Sequence, residues 1–201
     1  LESKPYGEIK NSVSRAYSIA SPDFQSRYIE LMVRKVPDGI CTTWVHEHLH
    51  VNEKISLIGP MGDFYLRDGN GEMIFIAGGS GMAPMVSLLH KIKNEKINRK
   101  VTYFFGARTT KDLFYLDEMK QLEKEISHFT FVPALSAPEE NSQWQGETGL
   151  ITDVVNKFIK DREHKDTQGY LCGSPGMVKA CCDVLVKNGL SNNNIYFDPF
   201  A

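Results

Sequence analysis

Through the first third of the chain, apolar and polar side chains alternate in short, turn-bounded runs. Residues 15–20, 28–36 and 54–59 share this partial period of two and predict half-buried β-strands, with residues 39–49 fitting a short helix between the last two. The rhythm changes near Glu72. Residues 73–77 form a near-continuous apolar run, as a strand covered on both faces of a parallel sheet requires. Met85, Leu88, Leu89 and Ile92 then recur at helical spacing, followed by strand 101–106, a helix through Met119, Leu122 and Ile126, and strand 129–135. Helix 151–159, strand 170–172, helix 177–186 and strand 195–197 continue the alternation. Strands taking turns with helices predict βαβ units. The fold class is α/β plus β: an antiparallel β-unit over residues 1–70, then a doubly wound parallel-sheet domain over residues 71–201, parted at the turn-rich Arg67-Asp68-Gly69-Asn70-Gly71.

Composition narrows the partners. The 201 residues carry 23 Lys+Arg against 25 Asp+Glu, a net charge of −2, so there is no basic surplus for nucleic acid and no polybasic tail for anionic lipid. The longest uncharged stretch, residues 73–89, is broken by three glycines and a proline and is shorter than the roughly 20 apolar residues of a membrane span. Cys41, Cys172, Cys181 and Cys182 form no C-x-x-C pair, which argues against a disulfide scaffold and against an iron–sulfur cluster, and fits a reduced, cytoplasmic chain. The start, Leu1-Glu2-Ser3-Lys4-Pro5, has neither Met nor the layout of a signal peptide, which predicts sequence missing before it.

Two glycine turns carry the clearest chemistry. Ile76-Ala77-Gly78-Gly79-Ser80-Gly81-Met82-Ala83-Pro84 lies between a predicted strand and helix, where glycines let backbone approach a ligand and a helix N-terminus attracts phosphate. It departs from G-x-G-x-x-G at its last position, where Pro84 suits a first helical turn, and no Gly-Lys-Ser/Thr of a P-loop follows. Tyr170-Leu171-Cys172-Gly173-Ser174-Pro175-Gly176-Met177 is a second turn of the same kind, and both can face one crevice beyond the strand ends. Cys172 itself reads as a buried packing cysteine or as a small group against a planar ring. His46-Glu47-His48-Leu49-His50 matches H-E-x-x-H, but the segment is short, carries a third histidine and runs at once into a strand. It reads as a solvated helix face, and no metal site is assigned.

Taken together, Arg15-Ala16-Tyr17-Ser18, Gly39-Ile40-Cys41-Thr42-Thr43, the first glycine turn, Gly106-Ala107-Arg108, the second turn and the terminal Phe197-Asp198-Pro199-Phe200-Ala201 resemble the ferredoxin–NADP reductase superfamily. The likeness extends in order from about residue 14 to the end. Within that superfamily the chain is similar to the FAD- and NADH-binding part of the F subunits of sodium-translocating NADH:quinone reductases, and to reductases of multicomponent monooxygenases.

The resemblance implies roles residue by residue. Arg15 would pair with the FAD pyrophosphate, Tyr17 would stack on the isoalloxazine and Ser18 would hydrogen-bond near flavin N5. Gly39, Cys41, Thr42 and Thr43 would give backbone N–H groups and a hydroxyl to the FAD pyrophosphate, with Met32 and Val33 beside the adenosine half. Gly79, Ser80, Gly81, Met82 and Pro84 would hold the NADH pyrophosphate, and Arg108 would lie near its adenosine. Cys172, with Gly173, Pro175 and Met177 around it, would meet the nicotinamide, while Asp198 approaches the flavin and Phe200 covers its ring. Ser18, Cys172 and Asp198 are the implied catalytic residues.

Asp112 would oppose a 2′-phosphate although Arg108 and Lys111 would not, which favours NADH. Only 14 residues precede Arg15. That is fewer than the opening strands of the family's six-stranded flavin barrel need, so the resemblance implies a barrel cut short at its N-terminal side. The resemblance further implies that the F subunit's iron–sulfur domain and membrane anchor lie outside these residues. The implied activity is hydride transfer from NADH to FAD. Electrons would then pass to an iron–sulfur protein or domain, or to a quinone-reducing membrane complex, in the cytoplasm or at the cytoplasmic face of the inner membrane. A stand-alone flavin or dye reductase and a non-catalytic nucleotide-binding module are the alternatives.

Overall fold

The strands that read as unbroken apolar runs lie at the centre of one sheet. The computed structural model describes residues 1–140 and 142–200; Ala201 of the terminal motif lies outside them. A short helix, α1 (Ile40–Thr43), passes directly into a wider turn at Trp44–His48, closed by the Leu49 N–H on the Trp44 carbonyl at 2.9 Å with the indole buried inside it. Then come β1 (Met73–Gly78), α2 (Met82–Asn94), β2 (Val101–Ala107), α3 (Leu116–Glu125) and β3 (Phe129–Leu135). The two-residue β4 (Glu147–Thr148), α4 (Ile151–Ile159), β5 (Gln168–Gly173), α5 (Pro175–Lys187) and β6 (Ile195–Pro199) complete the described order.

The six strands are parallel in the order β4-β3-β2-β1-β5-β6. The chain winds outward from β1 through β4, then crosses back to place β5 on the other side of β1. Helices consequently cover both faces. Phe75, Tyr103, Phe105 and Tyr170 pack with Met85 and Leu89 of α2 and Met119 of α3 on one face. On the other, Ile74, Ile76, Phe104 and Leu171 pack with Val155 of α4 and Cys181 and Leu185 of α5. Each such fully buried side chain contributes about 1.5–3 kcal/mol. The reversal between β1 and β5 opens a crevice at the carboxyl ends of these two strands, the place where open α/β sheets take ligands.

The outer side of β3 is closed without a full-length neighbour. Phe131 N–H donates to the Glu123 carboxylate at 2.8 Å, Phe129 N–H to the Ile126 carbonyl at 3.4 Å, and Pro133 has no N–H to offer. β4 pairs only with Ala134 and Leu135.

Before Met73 the expected strands 15–20, 28–36 and 54–59 are extended segments rather than ladders. Among the described residues they are joined by single antiparallel bridges, Ile19 to Leu31 and Glu2 to both Ser14 and Ser56. A strand becomes a ladder only when a neighbour meets it residue by residue, and here Tyr28, Ile29, Leu57, Ile58 and Met61 stay exposed on faces that nothing covers. The linker after them is fixed firmly. Arg99 donates to the carbonyls of Gly71 and Arg67 at 2.7 and 3.3 Å and to the Gln168 side chain at 2.8 Å, while Arg67 N–H donates to the Tyr170 hydroxyl at 2.9 Å.

Candidate active site

Both glycine turns lie at the crevice, and backbone contact joins them. A Cβ added at Gly81 would sit 2.2 Å from the Cys172 carbonyl oxygen, so only glycine lets the turn after β1 rest on the end of β5. Gly79 takes φ +56°, a left-handed conformation that glycine adopts readily, and the space above it is open except for the Arg34 guanidinium, 3.7 Å from an added Cβ. Gly173, at φ +152°, makes room for Met177, whose Cε would lie 2.6 Å from an added Cβ. The open cradle, the N-terminus of the 13-residue α2 and the arginine above together fit a dinucleotide pyrophosphate.

Met82 and Pro84 have buried side chains, so neither side chain reaches a ligand. The backbone N–H groups that close the turn at Met82 bond back to the Gly79 and Ser80 carbonyls, so Met82 braces the turn, and Pro84, lacking an N–H, shapes the helix start. Ser80 is half-buried within the turn, and Pro175 is exposed in the first turn of α5.

Three residues from distant parts of the chain converge beside these turns. The Ser18 hydroxyl donates to the Asp198 carboxylate at 2.9 Å. Cys172, fully buried, lies near enough to both that they perturb its thiol. Burial raises that thiol most and the Asp198 charge adds to it, while the Ser18 contact acts the other way, leaving it pushed up to about 12. Cys172 is thus a neutral group at physiological pH. Phe200 N–H donates to the Gly173 carbonyl at 2.9 Å and its ring packs on the core, so Phe200 is held at the end of β5.

The residues implied for FAD sit on the N-terminal half. Tyr17 is half-buried, and its hydroxyl is raised well above the usual range, first by burial and next by its bond with Cys41. Cys41 is itself buried, which leaves only its backbone to face a ligand. Arg15 is exposed, with Nη1 on the Ser14 carbonyl at 2.8 Å. A Cβ on Gly39 would meet Thr42 Oγ1 and Val36 Cγ2, each at 2.4 Å. The Thr42 hydroxyl donates back to the Gly39 carbonyl at 3.1 Å and accepts from Val36 N–H at 3.3 Å, so it braces the loop, and Thr43 is left to present a hydroxyl. The opening N–H groups of α1, ahead of Thr43 N–H on Gly39 O at 2.8 Å, have no acceptor within the helix and suit an anion. Met32 packs against the core of the α/β half, and the Val33 carbonyl meets His46 Nε2 at 2.8 Å.

That last contact takes one member of H-E-x-x-H. Glu47 pairs with Lys35, His48 stacks on Tyr6 at 4.4 Å and His50 meets Glu53 at 3.0 Å, so the motif's side chains point to separate partners. Among the described residues no cluster of three metal-ligating side chains forms.

Beyond β2, Asp112 accepts from Thr109 N–H and hydroxyl, both at 3.0 Å, and these bonds hold its carboxyl below the usual range, with Arg34 and Arg108 adding their charge. The Glu139 carboxylate, from beyond β3, accepts from the Thr110 hydroxyl at 3.1 Å. Arg34 and Glu139 did not emerge from motif reading. Arg34 has a signal nonetheless, because Glu30, Met32 and Arg34 share one face of an extended segment.

A family profile described as "Oxidoreductase NAD-binding domain" matches residues 75–183, and one described as "Oxidoreductase FAD-binding domain" matches residues 6–65. The chain belongs to the ferredoxin-reductase family of FAD- and NAD-binding oxidoreductases. Among its relatives is the F subunit of the Na(+)-translocating NADH-quinone reductase of Idiomarina loihiensis, 34% identical over 206 residues that cover 96% of this chain and 50% of that one. The propane 2-monooxygenase reductase component of Rhodococcus jostii is 36% identical over 191 residues, 93% of this chain and 51% of that one. The solved structure of Amycolatopsis cytochrome P450 reductase GcoB matches at TM-score 0.86 and 30% identity, covering 99% of this chain and 59% of that one. The chain spans about half the length of the curated relatives it matches. No helix among the described residues is long and apolar enough to cross a membrane.

Proposed function

We propose that this chain takes hydride from NADH onto FAD and passes electrons on to an iron–sulfur centre, on a further domain or a partner protein, or to a quinone-reducing complex. The observation that carries the reading is the meeting of Ser18, from the flavin-binding half, with Asp198 at the mouth of the nucleotide crevice and Cys172 beside them. When bound, the two cofactors supply the chemistry, hydride from nicotinamide C4 to flavin N5 and single-electron release afterwards.

The protein's part is to bind, orient and exclude. Gly79, Ser80 and Gly81 offer backbone N–H groups to the NADH pyrophosphate, and Arg34 closes the cradle from the other half. Cys172 supplies a small uncharged wall for the nicotinamide, with Met177 and Gly173 shaping the space next to it. Asp198 fixes the Ser18 hydroxyl at the junction, where it serves as an oriented hydrogen-bonding group toward the flavin. Tyr17 offers a flat face, Phe200 a removable cover, and Arg15 with the residue 39–43 loop a seat for the FAD phosphates. Glu139 and Asp112 place two carboxylates beyond β2 and β3, which favours the unphosphorylated ribose of NADH. A cytoplasmic setting, or the cytoplasmic face of the inner membrane, follows from the NADH supply and from the partner.

The test is a visible spectrum. Protein reconstituted with FAD is expected to show the bound oxidised flavin band and to bleach on adding NADH. Protein that stays colourless after reconstitution overturns the proposal.

A further inference from the structure

Residues 30–34 bridge the two halves. Side chains at i, i+2 and i+4 of an extended segment share a face, and here that face is turned to the α/β half. Glu30 accepts a hydrogen bond from the Tyr115 hydroxyl, Met32 packs on the core beneath α2 and α3, and Arg34 reaches the turn at Gly79. The backbone of Glu30 is held from the opposite side, its N–H on Ser21 Oγ at 3.2 Å and its carbonyl accepting from Ala20 N–H at 2.8 Å. Ser21 is tied in turn to α2, where Ser87 donates to its carbonyl at 3.0 Å.

Tyr115 occupies an unusual position. It precedes α3 with φ 58°, a left-handed conformation that a bulky residue keeps only where its surroundings hold it. Its hydroxyl meets a carboxylate, and hydrogen bonds to an ionised partner are stronger and more directional than neutral ones. Among the described residues Arg34 makes no hydrogen bond or ion pair of its own, and Asp112 feels its charge only at longer range; its guanidinium is exposed, and its place over Gly79 depends on where the segment lies.

We propose that Tyr115 is a positioning residue, holding Glu30 so that residues 30–34 lie at the height that presents Arg34 to a dinucleotide pyrophosphate on the Gly79 turn. The inference rests on the reading of that turn as the NADH phosphate site.

Binding of ADP-ribose, followed by calorimetry on the FAD-loaded chain, separates the two claims. Arg34→Ala is expected to weaken ADP-ribose about tenfold and Tyr115→Phe about threefold to fivefold, as the loss of one charge-assisted bond at one remove implies. The double variant is expected to bind no more weakly than Arg34→Ala alone, since both changes act through one contact. In Tyr115→Phe the KM for NADH should rise with kcat unchanged, and amide exchange in residues 28–34 should quicken while β1 stays protected. If Tyr115→Phe does not fold, Glu30→Gln reports on the same bond, with the same direction expected. Unchanged ADP-ribose affinity in Tyr115→Phe or Glu30→Gln, while Arg34→Ala weakens it, overturns the positioning role. Unchanged affinity in Arg34→Ala overturns the phosphate site itself.

Discussion

The Ser18 hydroxyl and the Asp198 carboxylate lie 2.9 Å apart although 180 positions separate them in the chain. Ser18→Ala removes the hydroxyl while leaving the crevice walls in place. Flavin reduction by NADH, followed by stopped flow, should slow by about a hundredfold, the scale of a lost positioning contact at a reacting centre. NADH affinity should change less than about twofold. An unchanged reduction rate would remove Ser18 from the transfer.

The glycines of the first turn should differ in tolerance. Gly79→Ala forces a left-handed alanine into otherwise open space, a loss of about 1–2 kcal/mol. Gly81→Ala drives a methyl into the Cys172 carbonyl, where backbone must move, and should lose about 3 kcal/mol or more. Thermal melts of the two variants give the order directly, and the reverse order would contradict the packing of the turn on β5.

Thiol chemistry should follow burial. Burial is the first cause of the raised thiols at Cys172 and Cys181, both pushed up to about 12, so both stay protonated and hidden at pH 8. Cys182, half-buried, should react first with a disulfide reagent under native conditions. Peptide mapping after a short exposure reads the order, and early modification of Cys172 would mean that the crevice opens far more readily than its packing allows.

The Tyr115 hydroxyl is raised to about 12, first by its bond to Glu30 and then by burial, with Glu118 and Tyr28 adding smaller effects. A folded-state value above the unfolded one stabilises the fold below pH about 10 and loses that effect as pH climbs from about 10 to 12. The stability gap between the parent and Tyr115→Phe, from urea melts, should therefore be full at pH 9 and closed near pH 12. A gap that does not vary with pH would show that the hydroxyl proton is not involved.

Glu139→Ala removes one carboxylate from the proposed ribose end and frees the Thr110 hydroxyl. The ratio of NADPH to NADH use, as kcat/KM, should rise about tenfold, equivalent to roughly 1.4 kcal/mol. No change in the ratio would place the ribose elsewhere.

The α/β half was legible because strands buried on both faces cannot hide their apolar runs: residues 73–77 became β1, and 129–135 matched β3 to the residue. β4 escaped because two residues carry no period. The alternation at residues 28–36 correctly marked an extended segment but could not show whether a neighbour would pair with it, since pairing depends on a distant part of the chain. The glycine turns were readable from local sequence, as backbone freedom is a local property. Ser18, Cys172 and Asp198 became visible as a set only through resemblance, and Arg34 and Glu139 only when the fold brought them to the loops they face.

Along the outer side of β3, one N–H is capped by Glu123, another by the Ile126 carbonyl, and Pro133 has none. A foreign strand approaching that edge finds too few donors to register on. The sheet that organises the nucleotide crevice is thereby guarded on this side against templating aggregates through its β3 edge.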